Sequence, residues 1–251
     1  MKKVFLFSMI LVASYTLNVA AQNNTLTAAE RQAGWTLLFD GTKTDGWRQY
    51  NGTAMPAGWV AADGVLKVLP RTEKPPRDPN APRGGSNDII YVAKKFKNFE
   101  LSIDWNVGKG GNSGVFYYVV EGPPNSQVYS AAPEVQILDN WNAGDNKLTN
   151  HLAGSLYDML PALPQNAKPA GEWNTIVIRV KDGQVTHTQN GVKVCEYTLW
   201  TPEWQALLEN SKFKDWPAFK EGAPSKDGGY IGLQDHNDFG CMFRNIKIRE
   251  I

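Results

Sequence analysis

Along residues 99–106 apolar and polar side chains strictly alternate. Phe99, Leu101, Ile103 and Trp105 hold one parity, and Glu100, Ser102, Asp104 and Asn106 the other. A period of two predicts a half-buried strand. Residues 59–68 form two short runs around Asp63-Gly64, and residues 185–197 form two runs around Asn190-Gly191. Both dipeptides accept the positive φ of a tight turn, so each segment predicts a hairpin. Residues 173–180 predict another strand, with Asn174, Ile176, Ile178 and Val180 on one face, and residues 230–236 and 241–249 predict a final pair. Helical signals are few. Thr27 and Glu30 have the spacing of a capping box around 28–33. Thr201, Pro202 and Glu203 open a better helix over 202–210, with proline at its first position. Many short strands at close spacing predict an all-β fold, an antiparallel β-sandwich with long loops and one short helix.

Two long stretches break the pattern. Residues 69–86 carry five prolines and three arginines, and residues 143–170 are irregular. Loops of such length are uncommon without a function. At the start, Lys2 and Lys3 precede an apolar run that ends in Val19, Ala20 and Ala21. This is the pattern of a bacterial-type export signal over 1–21, leaving 22–251 as one domain and pointing to the periplasm or the exterior. No cysteine near the cleavage region offers a lipid anchor, and no later run approaches a membrane span.

The 251 residues are 42% hydrophobic and 20% charged, enough for a sizeable core. Without Lys2 and Lys3 the chain has 24 basic and 25 acidic residues, a net charge of −1. That balance gives no general attraction to nucleic acid or anionic lipid. Two cysteines exclude a disulfide-dense scaffold and a four-cysteine metal site. An oxidising compartment permits a bridge between Cys195 and Cys241, but the sequence cannot supply the Cα separation a bridge requires, and two separately buried thiols are the plainer reading. No Gly-x-Ser-x-Gly elbow, phosphate loop or Rossmann fingerprint is present.

Several segments fall in a recognisable order. They are Gly34-Trp35, Leu38-Phe39-Asp40-Gly41, Asp45-Gly46-Trp47, Asn98-Phe99-Glu100-Leu101, Asp104-Trp105 and Gly111-Asn112-Ser113-Gly114-Val115-Phe116. Glu134-Val135-Gln136-Ile137-Leu138-Asp139, Gly154-Ser155-Leu156-Tyr157-Asp158, Gly171-Glu172-Trp173-Asn174, Gly232-Leu233-Gln234-Asp235-His236 and Phe243-Arg244-Asn245-Ile246 follow. The set resembles the 3-keto-disaccharide hydrolase family, also described as 3-keto-glucoside lyase and hydratase domains. The resemblance implies a concanavalin-like, laminin-G-like jelly roll. It also implies a substrate already oxidised at C3 of the sugar by a separate glycoside 3-oxidoreductase. Where similar sequences often carry an arginine, this one has Tyr118, so a substrate contact differs there. A non-catalytic, lectin-like carbohydrate-binding module is the alternative, since one fold serves both.

A C3 ketone acidifies the hydrogen on C2, so elimination of the C1 substituent needs a base, a donor at the enolate oxygen and an acid at the leaving group. In a sandwich, Val135 and Ile137 face the core and turn Glu134 and Gln136 outward. Ile231 and Leu233 do the same for Gln234 and His236. Glu134, His236 and His151, the last on the 143–170 loop, are the catalytic candidates. Gln136, Gln234 and Arg244 are candidates for holding the sugar and its oxyanion. Asn112, Asp139, Tyr157 and Tyr118 are further binding candidates, although Asn112 and Asp139 are also natural turn formers. Trp141 is a candidate sugar platform, and His187 reads as a sheet-surface residue. A divalent metal would suit enolisation, with Glu134, His151 and His236 as ligands, but no tight ligand spacing supports it.

Overall fold

The computed structural model describes residues 22–76, 87–123, 125–236 and 239–251. The export signal over 1–21, part of the proline-rich loop and Asp238 beside His236 lie outside the described residues. Thirteen strands follow in chain order: β1 (Thr36–Leu37), β2 (Trp47–Gln49), β3 (Trp59–Ala62), β4 (Val65–Val68), β5 (Ile89–Phe96), β6 (Phe99–Val107), β7 (Asn112–Val119), β8 (Glu134–Leu138), β9 (Asn174–Lys181), β10 (Gln184–Gln189), β11 (Val192–Thr198), β12 (Gly229–Leu233) and β13 (Cys241–Glu250). They form two antiparallel sheets. One runs β11-β10-β9-β6-β13-β4-β3, with β1 added to β13; the other runs β2-β5-β12-β7-β8.

The alternation in β6 builds the core directly. Phe99, Leu101, Ile103 and Trp105 are fully buried and meet Val115, Val135, Ile137, Ile231 and Leu233 from the other sheet. Both turn dipeptides close hairpins with positive φ at each residue: 54° and 74° at Asp63 and Gly64, 49° and 81° at Asn190 and Gly191.

Helix is richer than the sequence reading. The capped α1 (Ala28–Gln32) and α2 (Pro202–Glu209) are present, and α3 (Pro217–Lys220) adds a third after a 3-10 turn at Lys212–Asp215. Thr27 Oγ1 accepts from Glu30 N–H at 3.1 Å, and Glu30 accepts from Thr27 N–H at 2.7 Å, which completes the capping box. The extra helix lies in a segment with little apolar periodicity, which hid it.

Alternation fails to predict burial in β7 and β8, where every residue is buried. The 143–170 loop accounts for part of this, because it docks along the open edge of β8. Gln136 N–H donates to Ser155 O at 3.0 Å, Gly154 N–H to Gln136 O at 2.8 Å, and Tyr157 N–H to Glu134 O at 3.0 Å. The loop thus pairs an edge that would otherwise be exposed, and it carries Tyr157 to the side of Glu134.

The two cysteines are free and buried, on β11 and β13. His187 is not a surface residue. It is fully buried, with Nδ1 2.9 Å from Gly154 O and Nε2 3.1 Å from Tyr197 Oη, and burial lowers its pKa to about 4.

Candidate active site

The outer face of the five-stranded sheet holds a cavity of about 310 Å³. Its floor comes from neighbouring strands: Asn112 from β7, Glu134 and Gln136 from β8, and Gln234 just past β12. Asp145 and Tyr157 from the long loop, Lys212, Phe213, Trp216, Tyr129 and His236 complete the lining. A larger cavity, about 680 Å³, lies where α2 meets β11, with Tyr197, Trp204 and Leu207 in its lining. It has no buried carboxylate or histidine in its lining, so the smaller one is the candidate site.

The polar floor is unusual in what it lacks. Gln136 is 1% exposed, yet among the described residues neither its Nε2 nor its Oε1 has a hydrogen-bond partner; Gln234 Oε1 and Asn112 Oδ1 are likewise buried and unpartnered there. Buried amides left unsatisfied are costly, so these atoms read as groups awaiting a ligand. Glu134 is 6% exposed. Burial raises its pKa to about 8; Lys212 opposes the rise, Asp88 and Asp145 add to it, and the Gln234 amide opposes it weakly. The absence of a side chain at Gly114 makes room for it: a Cβ there would stand 2.2 Å from Glu134 Oε1.

His236 stands at the rim with its side chain exposed and makes no hydrogen bond among the described residues. The groove wall still removes enough water from the ring to lower its pKa; Asp145 opposes that shift, Lys212 reinforces it, and Asp235 opposes it. A neutral ring is therefore the resting form at neutral pH.

His151 lies behind the wall. Its Nδ1 is 2.7 Å from Asp145 Oδ1 and its Nε2 is 2.7 Å from Asp158 Oδ1, so neither nitrogen is available to a substrate. It acts as a brace. Asp145 accepts from Tyr157 Oη–H at 2.9 Å, Asp158 accepts from Lys212 N–H at 2.6 Å, and Lys212 Nζ lies 4.2 Å above the Tyr157 ring. Burial, followed by the Asp145 contact, holds the Tyr157 phenol well above its ordinary pKa.

Three expected binding residues are elsewhere. Arg244 lies on β13 of the other sheet, with its guanidinium 3.9 Å above Trp173 and Nε 3.5 Å from Asp104. Tyr118 points into the core, where it stacks on Trp200 and donates to Lys97 O at 2.5 Å. The cause is a bulge: Tyr230 pairs with Val119 but Gly232 with Phe116, which leaves an extra residue in β7, and Tyr118 takes up φ 57°. Asp139 closes a turn, accepting from Gly110 N–H at 2.8 Å and from Asn142 Nδ2 at 2.8 Å. Trp141 is 55% exposed and outside the cavity lining.

Among the described residues no three His, Cys, Asp or Glu side chains converge as a metal-binding group. Glu134, His151 and His236 in particular do not form one, because His151 is committed to Asp145 and Asp158. Sequence reasoning missed Asp145, Lys212, Tyr129, Phe213 and Trp216. All come from loops or single turns, where no periodicity marks a face.

Residues 34–249 match the family of the 3-keto-alpha-glucoside-1,2-lyase-like domain. The chain belongs to this family. A 3-keto-disaccharide hydrolase of Bacteroides thetaiotaomicron is 42% identical over 247 residues, covering 92% of this chain and 83% of that one. A candidate glycosyl hydrolase of Parabacteroides distasonis, solved by crystallography, aligns with a TM-score of 0.79 at 30% identity, covering 92% of this chain and all of that one. Another from the same organism aligns with a TM-score of 0.60 at 27% identity, over 86% of this chain and 99% of that one. The chain is an enzyme, and the reading as a non-catalytic binding module is set aside.

Proposed function

We propose that the protein cleaves glycosides oxidised to a ketone at C3, by elimination across C1–C2 followed by hydration. The observation that carries this is the presence inside one cavity of a carboxyl with a pKa near 8 and an imidazole whose pKa burial pushes down and which makes no hydrogen bond among the described residues. Environments that push two titratable groups apart in this way separate an acid from a base.

His236 removes the C2 proton. The electron pair forms an enolate whose charge rests on the C3 oxygen, and Lys212, the cation of the lining, offsets that charge. The enolate then collapses, the C1–O bond breaks, and the protonated Glu134 donates its proton to the departing oxygen. The product is a 2-hydroxy-glycal that retains the ketone. Glu134, now ionised, takes a proton from water as its oxygen adds to C1, and the imidazolium returns a proton to C2. Both groups end in their starting forms, and the net reaction is hydrolysis. Asn112, Gln136 and Gln234 satisfy their free amide atoms on the hydroxyls of the ring.

The charged start and apolar run of residues 1–21 support export, which would place the reaction in the periplasm or outside. A separate oxidoreductase would supply the ketone.

Incubation with a chromogenic 3-keto-glucoside in deuterated water tests the proposal. Release of the aglycone with deuterium gained at C2 is expected, and the parent glucoside should be inert. Equal cleavage of the unoxidised glucoside, or release without exchange at C2, would overturn it. His236→Ala should lower both release and exchange by about 10²–10⁴.

A further inference from the structure

The cavity lining divides by chemistry. Its floor is polar: Asn112, Glu134, Gln136 and Gln234. One part of the wall is aromatic and is assembled from two distant pieces of chain. Tyr129 comes from the 3-10 turn Val128–Ser130; Phe213 and Trp216 come from the turn after α2. The Tyr129 and Trp216 rings are 5.6 Å apart at 52°, and Phe213 supports Trp216 edge-on at 4.9 Å. Tyr129 is 37% exposed, and neither its hydroxyl nor the indole N–H of Trp216 makes a hydrogen bond among the described residues.

Building on the elimination chemistry above, we propose that Tyr129 and Trp216 form the subsite for the leaving group. The substrates this protein favours are then 3-keto-glycosides whose leaving group presents a flat, apolar face, such as an aryl ring. Three steps lead there. The free amides lie on the floor beside Glu134, so the hydroxyl-rich reacting ring binds there. His236 and Lys212 in the rest of the wall meet C2 and the C3 oxygen in the scheme above, which leaves the C1 substituent to the aromatic part. Aromatic faces offer contact area and two idle polar tips at little conformational cost, which suits a leaving group with a flat face to stack. Tyr129 and Trp216 are thus specificity-determining residues that touch the leaving group and stand apart from the proton transfers.

The test compares an aryl 3-keto-glucoside with its methyl counterpart, for turnover and for calorimetric binding. Trp216→Ala and Tyr129→Ala should raise KM and Kd for the aryl compound about 3–10-fold, the range expected for losing an aromatic contact. The methyl compound should change less than about twofold. Trp216→Phe, which keeps an aromatic face, should recover most of the aryl affinity and controls for misfolding. An equal loss on both compounds, or no loss on the aryl one, overturns the subsite while leaving the elimination reading intact. If wild type turns over neither compound yet binds the aryl one more tightly, and that preference vanishes in Trp216→Ala, the subsite stands and the elimination reading fails.

Discussion

Strand β8 buries a carboxylate near each of its ends, and the two behave in opposite ways. Glu134 is 6% exposed and Asp139, just past the last strand residue, is 1% exposed. Burial pushes both pKa values up. At Asp139, donors from Gly110, Trp141 and Asn142 overcome that push, and the pKa ends below its ordinary 3.8. At Glu134 nothing comparable opposes burial, and the value climbs to about 8. The N–H donors that reach Asp139, together with the heavier desolvation of Glu134, separate a carboxylate that closes a turn from one held ready to exchange a proton.

The largest expected effect comes from removing the second kind. Glu134→Gln should fold normally and lose about 10²–10⁴ in kcat on a glycoside with a poor leaving group. The loss should shrink for nitrophenyl leaving groups, which need no acid, while exchange at C2 persists. Loss of exchange in this variant, with full exchange in His236→Ala, would swap the two roles. Next in size is Gly114→Ala. Its Cβ would stand 2.2 Å from Glu134 Oε1 and must displace the carboxyl, so kcat should fall by about 10², the cost of a shift of about 1 Å. Asp139 and its turn should keep their geometry, visible as an unchanged pattern of amide exchange around 139–142.

How far the sequence showed this contrast depends on the kind of segment. Alternation through Val135 and Ile137 placed Glu134 and Gln136 on one face, and that face is the cavity floor. It could not tell Asp139 from Glu134, because donors to a side chain leave no trace in the local pattern. His187 shares its parity with the core residue Val185, so its burial was legible, but flanking threonines and the nearby Asn-Gly turn drew the reading outward. Tyr118 was lost to a bulge, which resets parity within one residue. Asp145, Lys212 and Trp216 sit on irregular chain, where placement depends on contacts such as Lys212 N–H to Asp158 rather than on any period.

Stability should separate the two carboxylates as well, with opposite signs. Glu134 has a folded pKa above its ordinary 4.5, so its favourable contribution is complete below about pH 4.5 and is lost as pH rises toward about 8. Glu134→Gln carries no such loss. Its advantage over wild type in chemical denaturation should grow across that window, by at most about 1.4 kcal/mol per pH unit, and then level off. Asp139 has a depressed pKa, so its contribution is present above about pH 3.8 and is lost as pH falls through the folded value. Asp139→Asn should therefore cost about 1.5–3 kcal/mol at neutral pH, the scale of hydrogen bonds to a charged group, and the deficit should fade in acid. A Glu134→Gln advantage independent of pH would show that the carboxyl titrates normally and would remove the basis of the contrast.

The smallest effect is expected at Arg244, and it decides whether the chemistry is confined to the cavity on the outer face of the β8 sheet. Arg244 pairs across the ladder with Asp104, in the other sheet, and its guanidinium is spent on the Trp173 face and the Asp104 carboxylate. An oxyanion formed in the cavity would have to draw on a charge from the other sheet. Lys212 already lines the site and opposes the raised pKa of Glu134. Arg244→Met should leave kcat and KM within about twofold of wild type. It should cost no more than about 1 kcal/mol, the size of a partly exposed ion pair with a cation–π contact. Lys212→Met should instead lower kcat while leaving that stability nearly unchanged. A hundredfold loss in Arg244→Met with Lys212→Met fully active would return the oxyanion to the arginine, and the cavity could then no longer be the whole of the active site.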